Sequence, residues 1–429
     1  MLTTLINAFK EKEIRKKMLL TLLMLLVFRI GCWIPVPGLA SESFKNLASG
    51  NDFLSVLSTI TGGSLSNGTL FALGILPFIN AFIIMQLLTL VIPPLDRLSK
   101  QGEAGRKKIT QITRYAAILL AVVQAVGICL GWGSSKFDAT LGSTALSMAL
   151  VIIMLVGGSC LVMWIADRIT EYGIGNGTSL IIFAGILSSA GNALLTAFKG
   201  VGEGSVSKNV WLIIAFLVVV LFVFVFIIFV DLAERRITIQ YAKQIKGNKM
   251  YGGQSTHIPM KVNASGVMPI IFASSFLMFP QMIASFWPNS AFYIWWSKWI
   301  GVGQPVYIAL LCVLILFFSF FYSQIQFNPE DISRNIQQNG GFIPGIRPGR
   351  PTSEYLKRIN NRITLFGAIF LAVIALVPSV VFKAIGGDTN GLANSFSATG
   401  LLIVVSVAME FDTQLQNQLM MKHYKGFLK

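Results

Sequence analysis

Side chains that commonly carry chemistry are few in this chain, and they do not converge. The two histidines, His257 and His423, lie in separate polar segments and form no cluster. Cys32, Cys129, Cys160 and Cys312 are widely spaced, with no CxxC pair and no metal-ligand spacing, so they read as small core residues. A phosphate-cradling GxxxxGK[ST] loop is missing, and the dipeptide Gly-Lys does not occur at all. The run Gly173-Ile174-Gly175-Asn176-Gly177 is glycine-rich, but it precedes a long apolar stretch and does not open a helix of a βαβ unit. Catalytic and metal-binding residues are therefore expected to be none, and so are cofactors. ATP-driven work would have to come from a partner.

The elements that must position any site are membrane spans. Of 429 residues, 54% are apolar and 12% charged, against roughly 25% charged in a soluble domain. Long apolar runs at about 20 residues per crossing give ten spans, near 18–34, 70–92, 114–132, 145–166, 174–197, 209–230, 263–286, 305–326, 363–382 and 392–409. The fold class is an all-α polytopic membrane protein. These runs are continuous, whereas barrel strands would alternate. No small-residue cleavage site follows the first run before Pro35, so a cleaved leader is not expected.

Charge sets the orientation. The N-terminus, the segments 93–113, 167–173, 231–262 and 327–362, and the C-terminal tail hold 27 Lys plus Arg (Arg114 included) and 13 Asp plus Glu. The other side holds six positives and five acids, and Arg29 lies within span 1. Lys and Arg stay cytoplasmic in short loops, so both termini are expected in the cytosol. Topology alone explains much of that excess. Segments 231–262 and 327–362 are nevertheless longer than topology needs, each with six positives. They suggest extended hairpins that dock something acidic, such as ribosomal RNA or a soluble protein. Membrane lipids with anionic headgroups are the competing partner.

Three features interrupt the span pattern. The apolar stretch Phe53-Leu54-Ser55-Val56-Leu57-Ser58-Thr59-Ile60 is too short to cross: about eight residues span some 12 Å as helix. It reads either as an external interfacial helix or as a re-entrant helix filling a funnel from outside. Span 2 carries Gly74, Pro77, Asn80 and Gln86; the prolines there and at Pro269 and Pro280 in span 7 suggest kinks, and the two amides suggest a polar seam. Within the spans an unpaired carboxylate is nearly absent, although Glu410 and Asp412 close span 10. That counts against ion-coupled transport.

Several long stretches in order resemble the SecY family, the central subunits of bacterial protein-conducting channels. They are Phe71–Asn80, Lys100-Gln101-Gly102-Glu103-Ala104-Gly105-Arg106-Lys107-Lys108, Glu171-Tyr172 with Gly173–Gly177, Glu234-Arg235-Arg236-Ile237, and Gly345-Ile346-Arg347-Pro348-Gly349. The likeness covers nearly the whole chain. It implies a clamshell of two inverted five-helix halves, 1–200 and 201–429, with a central pore and a lateral gate between spans 2 and 7 that Asn80 and Gln86 would line. Matched motif by motif, the family's pore ring falls on Ile75, Ile79, Thr178, Ile182, Ile271 and Ile403, with Thr178 departing from the usual aliphatic residue. An apolar waist seals against ions by dewetting.

The resemblance makes 52–61 the plug, with Phe53, Leu54, Val56, Leu57 and Ile60 its apolar residues. It makes 231–262 and 327–362 docking loops, with Arg235, Arg236 and Arg347 on them. It implies a channel in the cell inner (plasma) membrane that translocates unfolded secretory polypeptides and releases transmembrane helices sideways into the bilayer. Its implied partners are SecE-like and SecG-like small membrane subunits, the SecA motor ATPase, the ribosome, and signal peptides with nascent secretory or membrane proteins. No enzymatic activity is expected. An inverted-repeat secondary transporter for a small solute is the alternative; it requires a midplane ionisable residue that the spans lack. A membrane-embedded enzyme requires convergent Ser/His or Asp pairs, which are also missing.

Overall fold

The computed structural model describes residues 2–39, 58, 61–132, 144–200, 206–241, 244–246, 249–251, 255–263, 266, 268–285, 290–301, 304–385 and 398–426. Fourteen helices in this range are numbered here in chain order: α1 (Leu2–Lys10), α2 (Lys12–Gly31), α3 (Leu76–Val91), α4 (Pro93–Ser99), α5 (Glu103–Trp132), α6 (Thr144–Tyr172), α7 (Gly177–Gly200), α8 (Val206–Asp231), α9 (Met268–Ser285), α10 (Ala291–Ile300), α11 (Pro305–Gln326), α12 (Pro329–Gln338), α13 (Arg350–Ile385) and α14 (Ala398–Gly426). Each of the ten expected spans falls on one of them. Among the described residues, five helical stretches are by themselves long and apolar enough to cross a membrane, and a sixth is the pair α3–α4, bent by 105°. Met268–Gln281 and Val218–Asp231 are shorter apolar helices.

The prolines do two different jobs. Pro77 and Pro269 stand in the first turns of α3 and α9, where no N–H is needed, so they start helices. Pro280, by contrast, lies inside α9. Span 2 is accordingly shorter than its apolar run. Residues 61–75 form a chain of tight turns in place of the expected helical start, and an antiparallel bridge joins Thr69 to Pro35.

The helices close a circuit. Packing runs from α5 to α6, α7, α14, α13, α11 and α9, and α9 returns to α5; α3 lies along α5, and α2 against α6 and α7. Lipid tails are as apolar as leucine, so close approach and not hydrophobicity holds such helices together. Glycines supply it. A side chain at Gly31 would collide with Phe71, and one at Gly158 with the Leu70 carbonyl. Phe28 and Phe71 stack beside Gly31 with ring centroids 5.9 Å apart.

Five short strands lie outside this bundle: β1 (Glu234–Tyr241), β2 (Gln244–Lys246), β3 (Lys249–Tyr251), β4 (Ser255–Lys261) and β5 (Gly341–Phe342). The segment 231–262 is thus the extended hairpin its length suggests. β1 and β4 pair antiparallel from Glu234↔Lys261 to Gln240↔Ser255, and β2 and β3 pair antiparallel farther out. The second long segment is not a separate hairpin. Its β5 adds to β1 through Gln240↔Phe342, and both segments share one core of Ile237, Ile239, Met260, Ile336, Ile343, Leu356, Ile359 and Ile363.

Candidate pore and docking site

Four of the ring candidates are buried together. Ile75 precedes the first turn of α3, Ile79 lies one turn later, Ile182 is on α7 and Ile403 on α14; all are at most 8% exposed and belong to one apolar cluster. Ile271 of α9 packs against the same cluster, partly buried. Thr178 differs. Its N–H (3.1 Å) and its hydroxyl (2.6 Å) both donate to the Asn176 side-chain oxygen, so Asn176 caps the start of α7 and Thr178 is tied into that cap. The glycine-rich turn before it is also committed internally: the Ile174 N–H donates to the Thr21 hydroxyl and the Gly177 N–H to that of Thr170. These amides are not available to a phosphate.

The turns of 61–75, with Ser58, form a polar knot. Phe53, Leu54, Val56, Leu57 and Ile60 lie outside the described residues. Ser58 is helical and 8% exposed, with its hydroxyl donating to that of Ser66 at 3.0 Å. Its carbonyl accepts from the Gly63 N–H (2.7 Å) and the Thr61 hydroxyl (3.2 Å). Farther along, Ser159 of α6 donates to the Gly74 carbonyl, immediately before Ile75. Net hydrogen-bond gains are about 1 kcal/mol each, and here they accumulate in one short segment.

The SecY family model matches residues 69–411. A curated relative, the protein translocase subunit SecY of Streptomyces galbus, is 41% identical over 448 aligned residues, covering 100% of both chains. The chain belongs to the SecY family. Two solved structures share the fold. One, described as a protein conducting channel, has TM-score 0.69 at 21% identity, covering 94% of this chain and 91% of that one. The other, Sec61 in a canine ribosome-channel complex, has TM-score 0.63 at 19% identity over the same shares.

Within this SecY fold the seam candidates lie on α3. Asn80 and Gln86 are half-buried, and the Gln86 side-chain oxygen is buried without a hydrogen bond. On that side of the circuit the first helices meet the later ones where α9 packs on α5.

The docking candidates sit on the folded unit of β1, β4, β5 and α12. Arg347 is exposed in the turn between β5 and α13. That turn is rigid: Gly345 and Gly349 take φ of 82° and 96°, Thr352 donates to the Arg347 carbonyl at 2.9 Å, and Ser333 donates to that of Gly349 at 2.7 Å. Arg235 and Arg236 are both exposed, but adjacent strand residues face opposite ways. Arg236 is held by Glu234 at 2.7 Å, which offsets part of its charge.

Two polar groups that join helices had no place among the site candidates. Asp231, the last residue of α8, accepts from Asn263 at 2.8 Å and from Ser406 of α14 at 3.0 Å. Arg29 of α2 bonds to Gly62 and Ser188. The sequence signal for Arg29 was its solitary charge in an apolar run. Asp231 carried no signal, because it stands where charged residues normally begin a loop.

Proposed function

We propose that this SecY-family chain is a passive protein-conducting channel that moves unfolded secretory chains outward and releases apolar helices sideways into lipid. The observation that carries the reading is the burial of Ile75, Ile79, Ile182 and Ile403, from three helices, in one apolar cluster that Ile271 flanks. Such a waist keeps ions out when dry and offers no fixed hydrogen bonds, so a sliding chain of any sequence meets no specific trap. The translocase naming of the relative and the channel description of the structural neighbour support it.

In this reading residues 52–61 plug the funnel, the halves 1–200 and 201–429 open as a clamshell, and α3 and α9 flank the lateral gate. Thr178 belongs to the cytoplasmic rim of the ring. The chain works as a passage and not as an enzyme. It sits in the plasma membrane with both termini in the cytosol, in line with its charge distribution. Arg347, Arg235 and Arg236 face acidic partners there. The ribosome is one, supported by the ribosome complex of the Sec61 neighbour. A SecA motor and SecE-like and SecG-like subunits complete the assembly.

Proteoliposomes holding the chain with small partner subunits test the reading. With SecA and ATP, a secretory precursor should become protease-protected only when it carries a signal sequence. Saturable uptake of a small solute, with no precursor protection, would instead establish the transporter alternative.

A further inference from the structure

Arg29 is the only charged residue between Met18 and Ile34, and it stands two residues before the end of α2. A cation in that place ordinarily snorkels outward, helped by the negative end of its helix. Here the guanidinium turns inward. Nη1 donates to the Gly62 carbonyl at 3.4 Å, and Nη2 donates to the hydroxyl of Ser188 on α7.

Gly62 is fixed from both sides. Its φ is +72°, and a Cβ there would stand 2.8 Å from Arg29 Nη1 and 3.1 Å from the Gly185 Cα of α7. The backbone of the return segment 61–75 is thus wedged between α2 and α7 at Gly62. Behind that point the chain is held again: the Val36 N–H donates to the Gly68 carbonyl (3.0 Å) and the Leu70 N–H to that of Ile34 (2.9 Å). The Ser58 carbonyl accepts from the N–H of Gly63, the residue next to Gly62, so a displacement at Ser58 pulls on the backbone that Arg29 holds. An ionisable residue that faces the protein interior of a membrane bundle ordinarily has a task.

We propose that Arg29 is a positioning latch: its forked guanidinium clamps the return segment at Gly62 to α7 at Ser188, and so sets how strongly a signal sequence must bind to open the channel. The proposal rests on the channel reading and adds a specificity determinant to it. Both partners are neutral and lie on different elements, which only a fork reaches together. Movement of α7 or of the return segment breaks one arm and weakens the other, so the latch releases in one step.

The test uses the full chain with its natural partners and two reporters, one with an intact signal sequence and one whose signal has lost part of its apolar core. Export of the intact reporter by the wild-type chain checks the channel reading separately; if that fails, the reading fails before the latch is probed. Arg29→Gln should raise export of the defective reporter about tenfold, the change that loss of one charge-assisted hydrogen bond corresponds to, and leave the intact reporter unchanged. Arg29→Lys should behave like Arg29→Gln, since one ammonium cannot hold both partners in this geometry. Ser188→Ala should act in the same direction and add nothing to Arg29→Gln. Wild-type stringency in Arg29→Gln or Arg29→Lys overturns the latch. If the Arg29 variants fail to insert, unchanged stringency in Ser188→Ala overturns it.

Discussion

Ser406 lies on α14 three residues beyond Ile403, and its hydroxyl donates to the Asp231 carboxylate at 3.0 Å. The same carboxylate takes Asn263 at 2.8 Å, and the Val262 N–H donates to the Ala233 carbonyl beside it. The root of the β1–β4 hairpin is therefore bonded to the helix that carries the ring candidate Ile403, within one turn of that residue. Force applied to the hairpin has a short polar route to the α14 turn that holds Ile403.

That node should be measurable as stability. Asp231→Ala removes both side-chain bonds and leaves the buried Asn263 with fewer partners, a loss of about 3 kcal/mol; Ser406→Ala should lose about 1 kcal/mol. Thermal unfolding in mild detergent reads both values. Limited proteolysis of Asp231→Ala should cut near the hairpin root first. Equal midpoints for wild type and Asp231→Ala would show that the node carries no load.

Docking gives a contrast between two cations. Arg347 is fixed on an exposed rigid turn, whereas Arg236 is already offset by Glu234. Reversing a charge that faces an acidic partner adds repulsion as well as removing attraction. Arg347→Glu should lower SecA-driven translocation about tenfold, roughly 1.4 kcal/mol, with the membrane domain still folded. Arg236→Glu should lower it less. Normal rates in Arg347→Glu at normal expression would remove Arg347 from the docking surface.

The spans were legible because a bilayer demands long apolar runs, and each falls on a helix, although the helix of span 2 begins only at Leu76. What escaped was non-local or amphipathic. α13 begins at Arg350, well before the apolar run at 363, because Glu354, Lys357, Arg358 and Arg362 are good helix formers. Leu356 and Ile359 meanwhile bury one face against β1 and α12. The union of the two long segments depends on β5 pairing with β1 across about a hundred residues of chain, and a two-residue strand has no period to detect. α10 was missed because its ten residues, AFYIWWSKWI, are too short for a span and carry no turn signals. Among site residues, Ile75, Ile79, Ile182, Ile271 and Ile403 came from motif matching alone. A single isoleucine in an apolar span has no signature of its own.

The plug assignment predicts a change in exposure. Ser58 is 8% exposed and bonded to Ser66. In a chain lacking the natural cysteines, Ser58→Cys should react slowly with a water-soluble maleimide when the channel is idle. Trapping a polypeptide in transit should speed that labelling about tenfold, because displacement of the short helix breaks the enclosure. Labelling by a lipid-phase probe in both states would favour an external interfacial helix.

The waist itself is the central claim. Ile403 is 7% exposed within the apolar cluster, whereas Ile369 on α13 is 48% exposed. Ile403→Asn places a hydrated amide in the seal and removes apolar contact worth ~2 kcal/mol. The closed state should lose on the order of 1–3 kcal/mol, which is one to two powers of ten in the closed–open balance at ~1.4 kcal/mol each. The decisive measurement is ion conductance of the idle channel in planar bilayers, recorded for wild type, Ile403→Asn and Ile369→Asn. A leak raised about tenfold or more in Ile403→Asn alone is the predicted result. Wild-type conductance in a folded, inserted Ile403→Asn channel would contradict the ring.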